Sequence, residues 1–155
     1  MSKLAVGDTA PEFDTTDQNG KVVSLTNYKG KRVVLYFYPK DDTPACTKEA
    51  CSFRDHYAKL KKKGYIIIGV SADTEKSHVK FTAKYNLPFI LIADTDHHII
   101  DAYGVWGLKK FMGRAYMGIN RITYVIDETG IIAKVIDKVN TAEAAAQILE
   151  TEGKT

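Results

Sequence analysis

A chain of 155 residues that is 45% apolar and 26% charged has the length and make-up of one soluble globular domain, residues 1–155. Its 22 Lys and Arg against 19 Asp and Glu leave a formal charge of +3, too small to point to nucleic acid or a membrane surface as the main partner. A chain this long builds a core without disulfide staples, so its two cysteines are not scaffolding.

The start, Met1 to Asp8, lacks the apolar run of a secretory leader and the Arg- and Ser-rich character of a transit peptide, and reads as the beginning of a mature cytoplasmic protein. The most apolar stretch, Tyr65-Ile66-Ile67-Ile68-Gly69-Val70, falls far short of the ~20 residues that span a bilayer. In a reducing compartment paired cysteines serve catalysis, redox sensing or metal binding.

Asn19-Gly20 between Phe13–Thr16 and Lys21–Leu25 predicts an N-terminal hairpin with a type I′ turn. Arg32–Tyr38 is β-branched and aromatic without polar alternation, which predicts a central strand covered on both faces and ended by Pro39. Apolar positions at Cys46, Ala50, Phe53, Tyr57 and Leu60 predict one long helix running out at Lys61-Lys62-Lys63-Gly64. A second buried strand, Tyr65–Ser71, follows, and Asp73-Thr74-Glu75-Lys76 opens a helix that ends before Leu87-Pro88. Beyond it come a short strand near Phe89–Ile92, an irregular stretch through Gly104-Val105-Trp106-Gly107, strands Arg121–Asp127 and Ile131–Ile136 about Glu128-Thr129-Gly130, and a helix over Ala142–Leu149. The order implies an α/β fold whose mixed sheet is flanked by helices.

Chemistry gathers where Tyr38–Thr47 joins the central strand to the long helix, since open α/β sheets carry their sites beyond the strands' carboxyl ends. Thr43 suits the N-cap and Pro44 the first helical position, which makes Cys46 the third helical residue. Unpartnered N–H groups and the positive end of the helix dipole lower a thiol's pKa there. Cys46 also lies on the apolar stripe of its helix, where a packed structural cysteine fits equally well, and on these residues alone the two readings stand level. Cys51 sits ~140° around the helix, on a face shared with Arg54 and Asp55. In an unbroken helix the two Cα atoms stand ~8.7 Å apart, beyond the ~7 Å a disulfide bridges, so a bond between them requires the helix start to unwind.

Pro39-x-x-x-Thr43-x-x-Cys46 resembles the active-site pattern of the peroxiredoxins, and Cys46-Thr47-Lys48-Glu49-Ala50-Cys51 resembles their PrxQ subfamily, also called bacterioferritin comigratory protein. The resemblance runs on through Val6–Phe13, Phe37–Lys40, Ser52–Asp55, Gly69–Ser71, Tyr103–Trp106 and Gly118–Asp127. It implies a thioredoxin-like fold and a thiol peroxidase for antioxidant defence, acting on hydrogen peroxide and alkyl hydroperoxides without metal or organic cofactor. By resemblance Cys46 is the peroxidatic cysteine and Cys51 the resolving one. Thr43 hydrogen-bonds the thiolate and the incoming peroxide, Arg121 supplies a fixed positive charge near both, and Pro39 shields the sulfur. The Cys46 sulfenic acid condenses with Cys51, and thioredoxin reduces the resulting disulfide. Because that disulfide lies within one chain, a monomer suffices.

Plainer readings apply to other residues. Without the motif, Arg121 reads as a solvated strand-end charge or an ion-pair partner; Glu49, one turn after Cys46, reads first as an exposed helical acid, with orientation of Arg121 or Lys48 as its alternative. His56, His78, His97 and His98 lack the paired spacing of zinc sites, and Trp106 reads as packing. Lys61–Lys63 and Lys109-Lys110 read as solvated faces, while Asp41-Asp42 should point to solvent, because carboxylates beside a thiol disfavour its ionisation. A disulfide oxidoreductase would carry Cys-x-x-Cys, and a binding module would need neither Thr43 nor Arg121.

Overall fold

The computed structural model describes residues 4–152, and Met1–Lys3, the first residues of the stretch read for a leader, lie outside them. Asp14–Thr16 (β1) and Val22–Ser24 (β2) form the expected antiparallel hairpin, but not through a type I′ turn. Only Gly20 in the loop takes a positive φ, 78°. Asp17 sets that geometry: its carbonyl accepts the Gly20 N–H at 3.0 Å, and its carboxylate accepts the N–H groups of Asn19 and Lys21 at 2.8 and 3.0 Å. An ordinary turn followed by one left-handed glycine results.

Along the chain follow Arg32–Phe37 (β3), Pro44–Asp55 (α1), Tyr57–Lys62 (α2), Tyr65–Ser71 (β4), Glu75–Tyr85 (α3), Ile90–Ala93 (β5) and His98–Ala102 (α4). Trp106–Phe111 (β6), Arg114–Ile119 (β7), Ile122–Ile126 (β8), Ile132–Ile136 (β9) and Ala144–Glu152 (α5) complete it. Five strands form one sheet in the order β5-β4-β3-β8-β9, parallel across β5, β4 and β3 and antiparallel across β3, β8 and β9. The mixed sheet expected from the sequence is present.

Alternate residues of β3 enter different cores, which explains the absence of polar alternation. Val33, Leu35 and Phe37 join the cluster that includes Phe13, Ile100 and Tyr103. Val34 and Tyr36 join the cluster under α1, α3 and α5, with Cys46, Phe53, Phe81 and Ile148. Each such side chain contributes about 1.5–3 kcal/mol on full burial, so β3 is a rigid base for the loop that follows it. Gly69 of β4 pairs with Tyr36; a Cβ there would stand 2.8 Å from Tyr36 Cζ and from Leu91 Cδ2. Glycine therefore lets the Tyr36 ring lie across the neighbouring strand under α1.

Two further expectations need correction. The stripe from Cys46 to Leu60 spans two helices, divided at His56 (φ −113°, ψ 14°). The His56 ring Nδ1 lies 3.0 Å from the Ser52 carbonyl, the acceptor that the His56 N–H also uses at 3.3 Å, so one acceptor serves two donors and the helix breaks. The stretch after Gly104 is not irregular throughout. From Trp106 it forms β6 and then β7, a two-stranded hairpin outside the main sheet.

Candidate active site

The site begins where β3 runs out. Tyr38 is buried, Pro39 half-buried, and Thr43 takes the extended backbone of an N-cap (φ −93°, ψ 157°) with Pro44 at the helix start, as expected. The Thr43 side chain makes no capping bond; its hydroxyl donates to the Lys40 carbonyl at 2.8 Å. The first N–H to close the helix is that of Thr47, onto the Thr43 carbonyl at 2.8 Å. Ala45 and Cys46 ahead of it have no helical acceptor within reach.

Cys46, the third residue of α1, is only 2% exposed. Arg121, entering β8 from 75 residues away, places Nη2 3.3 Å from the Cys46 Sγ and Nη1 2.7 Å from Glu49 Oε1. The fold thus joins the two residues that the motif paired. The Thr43 hydroxyl proton goes instead to Lys40.

Glu49 is not the exposed acid that helix position alone suggested. It is fully buried, ion-paired to Arg121 through one oxygen, with no hydrogen-bond partner for the other. Burial pushes its carboxyl up to about 7, against the opposing pull of Arg121. The available signal was its place three residues after Cys46, hence on the same face of the helix.

Cys51 is half-buried, and burial raises its thiol pKa, with the Arg54 charge opposing. Both cysteines are free and sit in the same unbroken α1. Beyond Cys51 the helix is fastened: Ser52 Oγ accepts the Ala145 N–H at 3.1 Å, Phe53 is fully buried, and Arg54 donates to the Tyr85 carbonyl at 2.8 Å.

The segment before Thr43 is fastened too, which corrects the solvent-facing expectation for Asp41. Asp41 is buried; its Oδ1 accepts the Tyr38 hydroxyl at 2.7 Å, and its Oδ2 accepts Ser77 Oγ at 2.8 Å and His78 Nδ1 at 2.6 Å. The fully buried His78 ring reaches the Ile92 carbonyl at 2.9 Å through its other nitrogen. Both ring nitrogens therefore face acceptors, which fixes the imidazole between Asp41 and the Ile92 carbonyl. Asp42, exposed and in the left-handed region (φ 57°), binds Lys84 Nζ at 2.7 Å and the Tyr85 hydroxyl at 2.8 Å, bonds that hold its carboxyl below the usual range.

Among the described residues, Asp41, Asp73 and His78 alone gather as a group with metal-ligand chemistry. Asp73 Oδ2 there accepts the Asp41 N–H and the Ser71 hydroxyl, so the cluster is occupied by its own hydrogen bonds. Trp106 is partly exposed and packs against the His97 ring, 4.5 Å between centroids. Lys61–Lys63 are exposed as expected, whereas Lys109 is half-buried and donates to the Ile119 carbonyl at 2.9 Å. Burial and the Arg121 charge lower its pKa, and the nearby Cys46 opposes them.

A buried thiol at a helix start, held against a fixed guanidinium on a mixed sheet, defines the thiol-peroxidase class. The profile of the AhpC/TSA family matches residues 6–135. The chain is 45% identical over 148 residues to peroxiredoxin Bcp of Bacillus subtilis, covering 96% of this chain and 94% of that one. It is equally 45% identical over 142 residues to peroxiredoxin Bcp of Escherichia coli, covering 92% and 91%. A cysteine-to-serine variant of PrxQ from Xylella fastidiosa superposes with a TM-score of 0.91 at 29% identity, covering 99% and 98%. Bacterioferritin comigratory protein of Xanthomonas campestris, studied for its alkyl peroxide reduction, superposes with a TM-score of 0.86 at 31% identity, covering 97% and 96%. The chain belongs to the AhpC/TSA family and, within it, to the Bcp or PrxQ peroxiredoxins, oxidoreductases built on the thioredoxin-like fold.

Proposed function

We propose that Cys46 is the peroxidatic thiol and Cys51 the resolving thiol of a peroxidase acting on hydrogen peroxide and alkyl hydroperoxides. The observation that carries this reading is the Arg121 guanidinium, 3.3 Å from the Cys46 sulfur at the first turn of α1. The Cys46 thiolate attacks the nearer peroxide oxygen and the O–O bond breaks. Sulfur gains a hydroxyl as sulfenic acid and loses two electrons, while the leaving oxygen departs as alkoxide or hydroxide and takes a proton from solvent. Charge moves from sulfur to that oxygen, and a guanidinium aimed at both favours the redistribution. Thr43, its own proton held by Lys40, accepts a hydrogen bond from the peroxide. Pro39 limits water at the sulfur.

The Cys51 thiol then displaces water from the sulfenic acid to give a disulfide, which protects Cys46 from irreversible oxidation. An external dithiol, for which we propose thioredoxin, restores both thiols by exchange. Because both sulfurs come from one helix, the cycle needs no second chain, and we propose a single-domain monomer working in the cytoplasm.

Reduced protein mixed with one equivalent of hydrogen peroxide should oxidise far faster than a small thiol of matched pKa, and its intact mass should fall by two hydrogens. Cys46→Ser should abolish the reaction. Cys51→Ser should keep the first attack and lose the disulfide. A wild-type rate no better than that of the small thiol overturns the reading, and a Cys51→Ser protein in which Cys46 no longer reacts overturns the division of roles.

A further inference from the structure

The charge balance of the whole chain conceals a local imbalance. Residues 102–126 carry four cations, Lys109, Lys110, Arg114 and Arg121, and no Asp or Glu. The remaining 130 residues hold 18 cations against 19 acids, so the entire positive excess lies in this one segment. Most of the segment is the β6–β7 hairpin, which pairs with itself and with no strand of the main sheet.

The hairpin exposes large apolar side chains on both its faces: Leu108 and Met117 on one, Phe111 and Tyr116 on the other. Its tip is Met112-Gly113, between the paired Phe111 and Arg114. Both tip residues have positive φ, 50° and 79°, the two-residue turn in which Asn, Asp or Gly is favoured at the first position. Here that position is methionine, strained in backbone and 86% exposed, beside a Phe111 that is 66% exposed. Lys110 and Arg114 flank the tip, and among the described residues neither has an acidic partner. A two-stranded hairpin is marginal by itself in water, and this one presents to solvent an apolar tip ringed by unpaired cations.

We propose that the β6–β7 hairpin is a docking arm for an anionic lipid bilayer. Phe111 and Met112 enter the boundary between headgroups and acyl chains, and Lys110 and Arg114 lie among the anionic headgroups. The charge decides the occupant, because an arm with cations and no acids complements a surface that is anionic throughout. Insertion stops at the tip, since the open strand edges carry backbone groups that hydrocarbon cannot satisfy. β7 leads from Arg114 back towards Arg121, and the seven residue steps between them, at about 3.3 Å each, put the Arg121 backbone beside the Cys46 site within ~23 Å of the headgroups. On the peroxidase reading, the site then meets hydroperoxides as they leave the membrane; the docking itself does not depend on that reading.

Trp106, the only tryptophan of the chain, sits at the base of the arm and reports on it. Full-length protein should sediment with vesicles containing phosphatidylglycerol and shift its tryptophan emission, with little binding to phosphatidylcholine alone and release at high salt. Replacing the tip with Phe111→Ser and Met112→Ser should weaken binding at least about tenfold, while thermal unfolding and peroxide consumption in lipid-free solution stay unchanged. The lipid-free assay reads the peroxidase proposal separately. No binding by the wild type to anionic vesicles, or equal binding by the tip variant, overturns the docking arm. So does a wild-type dimer that the tip variant breaks, which would make the arm a contact between copies.

Discussion

On the α3 side of Cys46 the polar groups are engaged with one another, whereas on the hairpin side the chain shows apolar side chains and unpaired cations to water. Asp41, Asp42 and Arg54, which bracket the Cys46 turn, all bind residues of α3. Among the described residues the hairpin has no comparable tie beyond its base, where Lys109 binds Ile119 and Trp106 meets His97. On the proposed reading, one side gives position to a sulfur that must meet its peroxide in one orientation. The other gives reach, which burial would remove.

The sharpest way to break the contrast is His78→Ala. It removes a fully buried ring and takes one hydrogen-bond partner from the buried Asp41, and truncating a buried ring to alanine costs about 3–5 kcal/mol. Urea unfolding should show the midpoint falling with an unchanged slope; a midpoint that does not move would mean that α3 does not clamp the loop. Next in size is Arg121→Met, which keeps much of the stem and removes the guanidinium. The rate of reduced protein with peroxide should fall about 10²–10³-fold, the usual loss on removing one transition-state donor. Stopped-flow measurement of an unchanged rate would sink the proposed role.

Glu49→Gln tests the same side through pH. The carboxyl sits at about 7 in the fold against an ordinary 4.5, so between those values the native state holds more protons than the unfolded chain. Stability contributed by the protonated carboxyl is full below about 4.5 and is lost as pH rises to about 7, by up to about 3 kcal/mol in all. Denaturation across that window should show the decline in the wild type and not in Glu49→Gln; parallel curves would show that the carboxyl ionises normally. The smallest effect belongs to the other side. Phe111→Ser or Met112→Ser should each change stability by less than about 0.5 kcal/mol, because neither side chain is packed. A larger loss in thermal unfolding would mean that the hairpin is held by contacts and is not an open arm.

How far the sequence could be read follows the same division. β3 and β4 were legible because burial on both faces leaves an uninterrupted apolar run, and Thr43, Pro44 and Cys46 were legible because capping is local. Arg121 needed the motif, since nothing near it in the chain reveals that it meets Cys46. The burial of Glu49 and Asp41 stayed hidden for the same reason: their partners, Arg121 and His78, arrive from 72 and 37 residues away. The helix break at His56 rests on one ring nitrogen finding a carbonyl, a contact that hydrophobic spacing does not encode. The hairpin was missed because its strands face water on both sides and so lack the alternation that marks a half-buried strand.

The fastening of Ser52, Phe53 and Arg54 sets the direction of travel in the proposed cycle. Cys51 is moored immediately beyond its own position, so when the two sulfurs meet it is Cys46 that must leave its place. Glu49 lies in the stretch that unwinds, and its pair with Arg121 has to part on the way. Every contact that steadies the thiol for attack thus also delays its resolution. A tighter site should react sooner with peroxide and remain longer as sulfenic acid, exposed for that interval to a second oxidant molecule. Speed of capture and vulnerability to overoxidation become two readings of the same local stability.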